Sequence, residues 1–275
     1  MSYAPGVEDP TTQPVELACT RSGTGPPVLL LHGQGARGAD FGDQSEALVR
    51  SYEVIAVDLR GHGASPVTPG PYRMSMLAAD VVALCRRLEL ESVHVVGHSL
   101  GGCVGLAMAL EHPTHVRTLT VINALARMAP TGVLARVQAA LLRASLRLVG
   151  VGPVARASAK MHFPEATQSA LRERLIERMT STPLVGYRAA QAAVENFDVT
   201  ERLAEITCPV LMVAGDGDPL PLEDKRALAN DVQNGRLVVL EDSRHVSIWD
   251  QPDALNALLL DFLAEAHPSD ITPDP

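Results

Sequence analysis

Short unbroken apolar runs, each halted by glycine, histidine or aspartate, alternate along this chain with longer stretches whose apolar residues recur every three or four positions. Residues 28–31 read Val-Leu-Leu-Leu and stop at His32-Gly33; residues 54–57 read Val-Ile-Ala-Val and stop at Asp58; residues 93–96 read Val-His-Val-Val and stop at Gly97. Such runs suit strands buried on both faces, as in a parallel sheet. Parallel neighbours need crossover connections, and residues 43–50 and 74–88 have helical character; in the second, Leu77, Val81, Leu84 and Leu88 lie at helical spacing. Residues 106–110 continue a helix that ends before Pro113, and residues 116–122 supply a further strand. The rhythm then lapses. Residues 123–200 are rich in Ala, Leu and Arg and are punctuated by Pro130, Pro153, Pro164 and Pro183, which points to helices. Strand and helix alternate again at 210–215, 222–232, 237–240 and 252–266. The pattern predicts a doubly wound, mostly parallel α/β core over residues 15–122 and 201–267, a helical cap inserted at 123–200, and tails at 1–14 and 268–275.

Composition keeps that picture and narrows the partners. With 275 residues, 46% of them apolar and 20% charged, the chain can fill one sizeable core carrying an insertion. A net charge of −9 argues against nucleic acid and against an anionic membrane surface as partners. Residues 1–14 carry Pro5, Pro10 and Pro14 without the basic-then-apolar order of a secretory signal. Residues 132–152 are apolar, but Arg136, Arg143 and Arg147 interrupt them, so a pair of amphipathic helices fits better than a membrane span. Cys19, Cys85, Cys103 and Cys208 form no C-x-x-C, which suits reduced thiols in a cytoplasm and speaks against a zinc site. Monomer and homodimer stay equally open.

The chemistry concentrates where apolar runs end. Gly97-His98-Ser99-Leu100-Gly101 is a G-x-S-x-G pattern placed between a strand and a helix, the context that gives the pattern its meaning. So sharp a turn strains its central residue, and flanking side chains at the glycines would clash. Ser99 is thereby raised above the strand ends, beside the amides and positive dipole end of the following helix. A serine hydroxyl needs a base to take its proton and a third group to orient that base. Asp216 and Asp218 follow the run ending at Gly215, and His245 follows the run ending at Leu240. Leu100, next after the nucleophile, offers its amide to an oxyanion.

Taken together, Leu30-Leu31-His32-Gly33-Gln34-Gly35, Asp58-Leu59-Arg60-Gly61-His62-Gly63-Ala64-Ser65, Gly97 to Gly102, Gly215 to Asp218 and the stretch around His245 resemble the α/β-hydrolase superfamily. The likeness is to its serine-nucleophile esterases, enol-lactonases and cofactor-free haloperoxidase-like members, and it spans nearly everything except the cap. It implies Asp218, three positions after the strand-end glycine, as the acid in preference to Asp216, and the Gln34 amide as the second oxyanion donor. It also implies no metal and no organic cofactor. One departure is Arg244, which stands where relatives usually carry a glycine before the histidine. A serine in the elbow sets aside the dehalogenase and epoxide-hydrolase branches, which use aspartate.

The implied reaction is hydrolysis of a carboxylic ester, lactone or thioester through an acyl-enzyme. The same triad also serves carbon-carbon bond hydrolysis, acyl transfer and perhydrolysis, and a non-catalytic ligand-binding protein on this fold is the reading from a different class. The apolar cap suggests a small-molecule substrate with a medium-sized hydrophobic acyl group or ring, with Met128, Met161, Phe163 and Met179 as candidate pocket residues. His32, Asp58 and His62 are expected to organise loops, His98 to be an incidental elbow residue, and Cys103 to pack a helix.

Overall fold

The computed structural model describes residues 13–266. Among these residues, seven strands form one sheet: β1 (Cys19–Ser22), β2 (Pro27–Leu31), β3 (Glu53–Val57), β4 (Val93–His98), β5 (Val116–Ile122), β6 (Val210–Gly215) and β7 (Gly235–Leu240). Their order is β1-β3-β2-β4-β5-β6-β7. All neighbours are parallel except β1, which pairs antiparallel with β3 at the edge. The apolar periodicity anticipates six of these strands and not β1, whose Cys-Thr-Arg-Ser is mostly exposed and gives no buried-strand signal.

Alternate residues of each central strand serve opposite layers. Leu29, Leu31, Val95, Leu119, Val121 and Met212 pack beneath α2 (Met74–Arg87) and α3 (Leu100–Glu111). Val28, Leu30, Val96, Leu211 and Val213 face the other layer, built from α1 (Gly42–Leu48) and residues 252–265. Both faces being covered explains why the strands read as continuous apolar runs. Buried motif residues tie the loops to this frame: Arg60 donates to both oxygens of Asp80 on α2, at 2.6 and 2.7 Å, and to the carbonyl of Gln13. Gln13 is therefore anchored rather than part of a loose tail; residues 1–12 and the tail expected at 268–275 lie outside the described residues.

Between β5 and β6 the chain makes α4 (Gly132–Leu148), α5 (Val151–His162), α6 (Ser169–Ser181) and α7 (Leu184–Glu195). These sit over the carboxyl ends of the strands. Asp40, fully buried in the turn before α1, accepts from Arg178 of α6 at 2.8 Å and so latches the cap to the core. After β6 come α8 (Leu222–Asp231), β7, the short α9 (Ser247–Asp250) and α10 (Pro252–Glu265). No described helix is long and apolar enough to cross a membrane.

Candidate active site

The strand-to-helix turn after β4 holds Ser99 at φ 51° and ψ −111°, a left-handed conformation that a non-glycine residue adopts only under local constraint. Gly101 relieves the crowding, because a Cβ there would drive into the backbone carbonyl of Leu31. Gly101→Ala is therefore expected to destabilise the protein by about 3 kcal/mol or more, seen as a lower urea midpoint at unchanged slope.

Residues from three separate loops converge on the elbow. The Ser99 hydroxyl donates to Nε2 of His245 across 3.0 Å, and Nδ1–H of His245 donates to Oδ1 of Asp218 across 2.9 Å. The Asp218 side chain is fully shielded from solvent, and the His245 side chain is partly open. Burial alone would raise the Asp218 carboxyl; the hydrogen bonds and charges of His245 and Lys225 outweigh it and hold the group below the ordinary carboxylate range. The neighbouring Asp216 instead accepts the amides of Asp242 and Ser243, at 3.2 and 3.1 Å, and so shapes the loop that carries His245.

The loop after β2 brings Gly33 and Gln34 alongside. A Cβ on Gly33 would fall 3.4 Å from that of Ser99, and the Gln34 side chain donates to the Tyr187 carbonyl at 3.1 Å. Leu100 opens α3, where its amide has no acceptor within the helix. Gln34 thus lines the same cavity as Ser99, and Leu100 follows Ser99 as the first residue of α3. His32 and Asp58 fix the neighbouring loops: His32 donates from Nδ1 to the Gly33 carbonyl and accepts the Leu59 amide at Nε2, and Asp58 accepts the amides of Gly38 and Ala64. His62 is buried against His32, with ring centres 5.1 Å apart. Cys103 packs inside α3, and burial pushes its thiol up to about 12.

A cavity of about 170 Å³ opens on Ser99 and His245. Of the four pocket candidates only Met179 lines it, with Leu175, Tyr187 and Trp249. Phe163 is fully buried one layer away, stacked on Trp249 with centres 6.3 Å apart; Met161 is 49% exposed on the far face of α5; Met128 packs in the layer under α3. Helical registry, which the lone methionines do not reveal, decides this for Met161 and Met179, whereas Met128 lies in the loop between β5 and α4. Two larger grooves of about 500 Å³ elsewhere on the surface touch neither Ser99 nor His245.

His162, Ser158, Asn123 and Lys225 around this centre escaped the sequence reading, which misjudged His98. His162 of α5 stacks on the His245 ring at 4.9 Å, with Ser158 also lining the cavity one turn earlier. His98 is not incidental: buried, its ring 5.3 Å from that of His245, it donates from Nε2 to the His245 carbonyl at 2.7 Å. Burial, and then the charge of His245, push both His98 and His162 down to about 3, so neither competes as a cation with the catalytic-type imidazole. Asn123, at φ 48° just past β5, donates to the carbonyls of Arg244 and His245 and accepts the Gly215 amide. The buried Lys225 meets Asp218 from behind. Asn123 does have a legible signal, since it ends a buried strand on the side where the other site residues gather; the two histidines have none.

A model of the alpha/beta hydrolase fold family matches residues 26–252, which takes in the elbow, both aspartates and His245. The chain belongs to the α/β-hydrolase fold family. Among curated relatives, this α/β hydrolase is 34% identical to the carbamate-hydrolase candidate RutD of Caulobacter sp. strain K31 over 86% of the chain and 90% of the relative. It is 33% identical to 3-oxoadipate enol-lactonase 2 of Acinetobacter baylyi over 74% of the chain and 76% of the relative. A thermophilic esterase from Thermogutta terrifontis superposes with a TM-score of 0.84 at 29% identity, covering 92% of this chain and 94% of that one. The relatives' shared character makes this chain a hydrolase.

Proposed function

We propose that this hydrolase is a serine esterase or lactonase that works through an acyl-enzyme on small, uncharged acyl substrates. The observation that carries the reading is the continuous hydrogen-bonded series from Ser99 through His245 to Asp218, set on a strained elbow. His245 takes the hydroxyl proton as Ser99 attacks the carbonyl, and Asp218 steadies the imidazolium that forms. The negative oxygen of the tetrahedral intermediate is received by the amides of Gln34 and Leu100. Collapse expels an alcohol, which His245 protonates; water, deprotonated by the same imidazole, then releases the acid.

Two features support the substrate class. Among the described residues no Lys, Arg, Asp or Glu lines the cavity, so a charged group buried there would lose its hydration without a counter-ion. Leu175, Met179, Ile248 and Trp249 instead offer apolar surface, and Gln34, Ser99, Ser158, Tyr187 and the imidazoles add uncharged polar groups. Carbamates and enol-lactones, for which the two relatives are named, both present a carbonyl bearing a heteroatom leaving group, the class this triad attacks. An enol-lactone carrying a free carboxylate fits this neutral cavity less well than an uncharged lactone of equal size.

The test is hydrolysis of short p-nitrophenyl esters and neutral lactones together with labelling by a fluorophosphonate. The wild type is expected to do both, and Ser99→Ala neither, with the circular dichroism of the two proteins alike. A wild type that does neither, yet gains thermal stability from such ligands, is a binding protein on this fold.

A further inference from the structure

The chain contains only two lysines, Lys160 and Lys225, against 21 arginines, and one of the two is completely shielded from water. Lys225 lies in the first turn of α8, where Leu228 and Ala229 supply the packing against the sheet. Its ammonium meets Oδ2 of Asp218 and lies 3.1 Å from Oδ1 of Asn123. The other oxygen of Asp218 is the one that receives Nδ1–H of His245. A desolvated ammonium is costly to bury and is a poor choice for stability alone. A cation in direct contact with the acid of the triad, on the side opposite the imidazole, bears instead on how that acid behaves.

Two consequences follow from the contacts. The carboxylate is gripped at both oxygens, so it cannot rotate away from His245. Asn123 extends the grip, because the amide that accepts from Lys225 also donates to the Arg244 and His245 carbonyls at 2.8 and 3.0 Å and to the Ser247 hydroxyl. The other charged and titratable groups facing His245 cannot substitute. His98 and His162 are held neutral by burial, Arg244 turns its guanidinium toward the Gly217 carbonyl, and Asp250 is occupied by the Ser243 hydroxyl and the Arg244 amide. Among the described residues, Lys225 supplies the lone cationic side chain that bonds Asp218 besides His245 itself. Lysine fits where arginine would not, since a compact point charge on a long stem can reach Asp218 without a planar fork to accommodate.

We infer that Lys225 is a positioning residue for the triad: its ammonium holds Asp218 ionised and aimed at His245 and moderates the attraction of that carboxylate for the imidazolium. The inference rests on the triad reading above. Without the ammonium, the unopposed carboxylate favours protonated His245, and burial, which already pushes the Asp218 carboxyl up, favours protonated Asp218 as well. Both effects remove the active form at low pH.

For Lys225→Met, the acid limb of kcat/KM with a p-nitrophenyl ester is expected to move up by about one pH unit, an approximately tenfold loss on that limb that shrinks above it. KM should change little, since Lys225 does not line the cavity. In Lys225→Ala, ethylammonium chloride is expected to move the limb back, and tetramethylammonium is not. A loss by the same factor at every pH would make Lys225 a packing residue and overturn the inference. Should these variants fail to fold, the fluorophosphonate adduct of the ¹⁵N-lysine-labelled Lys160→Arg protein gives the answer with Lys225 intact. Its single Nζ resonance should shift when Ser99 is modified and His245 becomes charged, and an unmoved resonance overturns the inference. If the wild type neither turns over esters nor takes the label, the triad reading fails; if it does both while Lys225→Met keeps the wild-type pH profile, only the role of Lys225 fails.

Discussion

Asp218→Asn is expected to lower kcat about 10⁴-fold at neutral pH, because an amide presents His245 with the wrong hydrogen-bonding partner and no negative charge to oppose the imidazolium. The Nδ1–H of His245 points at one carboxylate oxygen at 2.9 Å, and an asparagine there can invert the imidazole tautomer so that Nε2 no longer accepts the Ser99 proton. The same substitution should cost stability, on the order of 3 kcal/mol, since it strips the buried Lys225 of its anion. Adding Lys225→Met to Asp218→Asn should recover stability and leave turnover at the low level. Asp216→Asn, by contrast, keeps an oxygen for one of the two loop amides and should cost less than about tenfold in kcat/KM. A larger loss from Asp216→Asn than from Asp218→Asn would move the acid to the other aspartate.

Acid should undo the fold over a narrow range. His62, His98 and His162 are buried, and each leaves one ring nitrogen without a partner. Burial pushes all three down to about 3, against about 6.5 in an unfolded chain. The folded state therefore binds fewer protons than the unfolded state between those values, and stability falls as pH drops through that window. Each group contributes up to about 1.4 kcal/mol per pH unit, a slope reached only below the unfolded value, so three together remove about 7 kcal/mol between pH 6.5 and 4.5. That is comparable to the whole stability of an ordinary domain, about 5–15 kcal/mol. Asp218, held low in the native state, is fully stabilising at these pH values and loses its contribution only as pH falls through its own depressed range. Urea unfolding at half-unit pH steps should show a midpoint dropping steeply below pH 6.5, and His62→Gln should flatten the fall by one proton. A midpoint that stays level from pH 6.5 to 4.5 would mean the imidazoles find partners or water on protonation.

Much of this centre was written in local sequence. Ser99 and Asp218 follow the buried strands β4 and β6, His245 follows the apolar run of the half-exposed edge strand β7, and a strand-to-helix turn bracketed by glycines has few other uses. What stayed illegible depends on which way helices turn. Methionine at 128, 161 and 179 has the same apparent promise along the chain, yet Met128 falls in the loop after β5, and of the two on helices only that of α6 turns into the cavity. Cap packing likewise decides that His162 lies over His245, and no periodicity in α5 forecasts it. Strand β1 was missed for the opposite reason: an edge strand with exposed polar residues carries no apolar signature. Lys225 had a compositional clue in the scarcity of lysine, but its use became visible only when α8 brought it behind Asp218.

The most direct test of the central claim is to mix the enzyme with an excess of a p-nitrophenyl ester, quench in acid within milliseconds, and weigh the protein and its peptides. A burst of p-nitrophenol near one equivalent, with the acyl mass added on the peptide containing Ser99, is the predicted result. Turnover at the full rate with the added mass on another residue, or in a Ser99→Ala protein, would contradict the account.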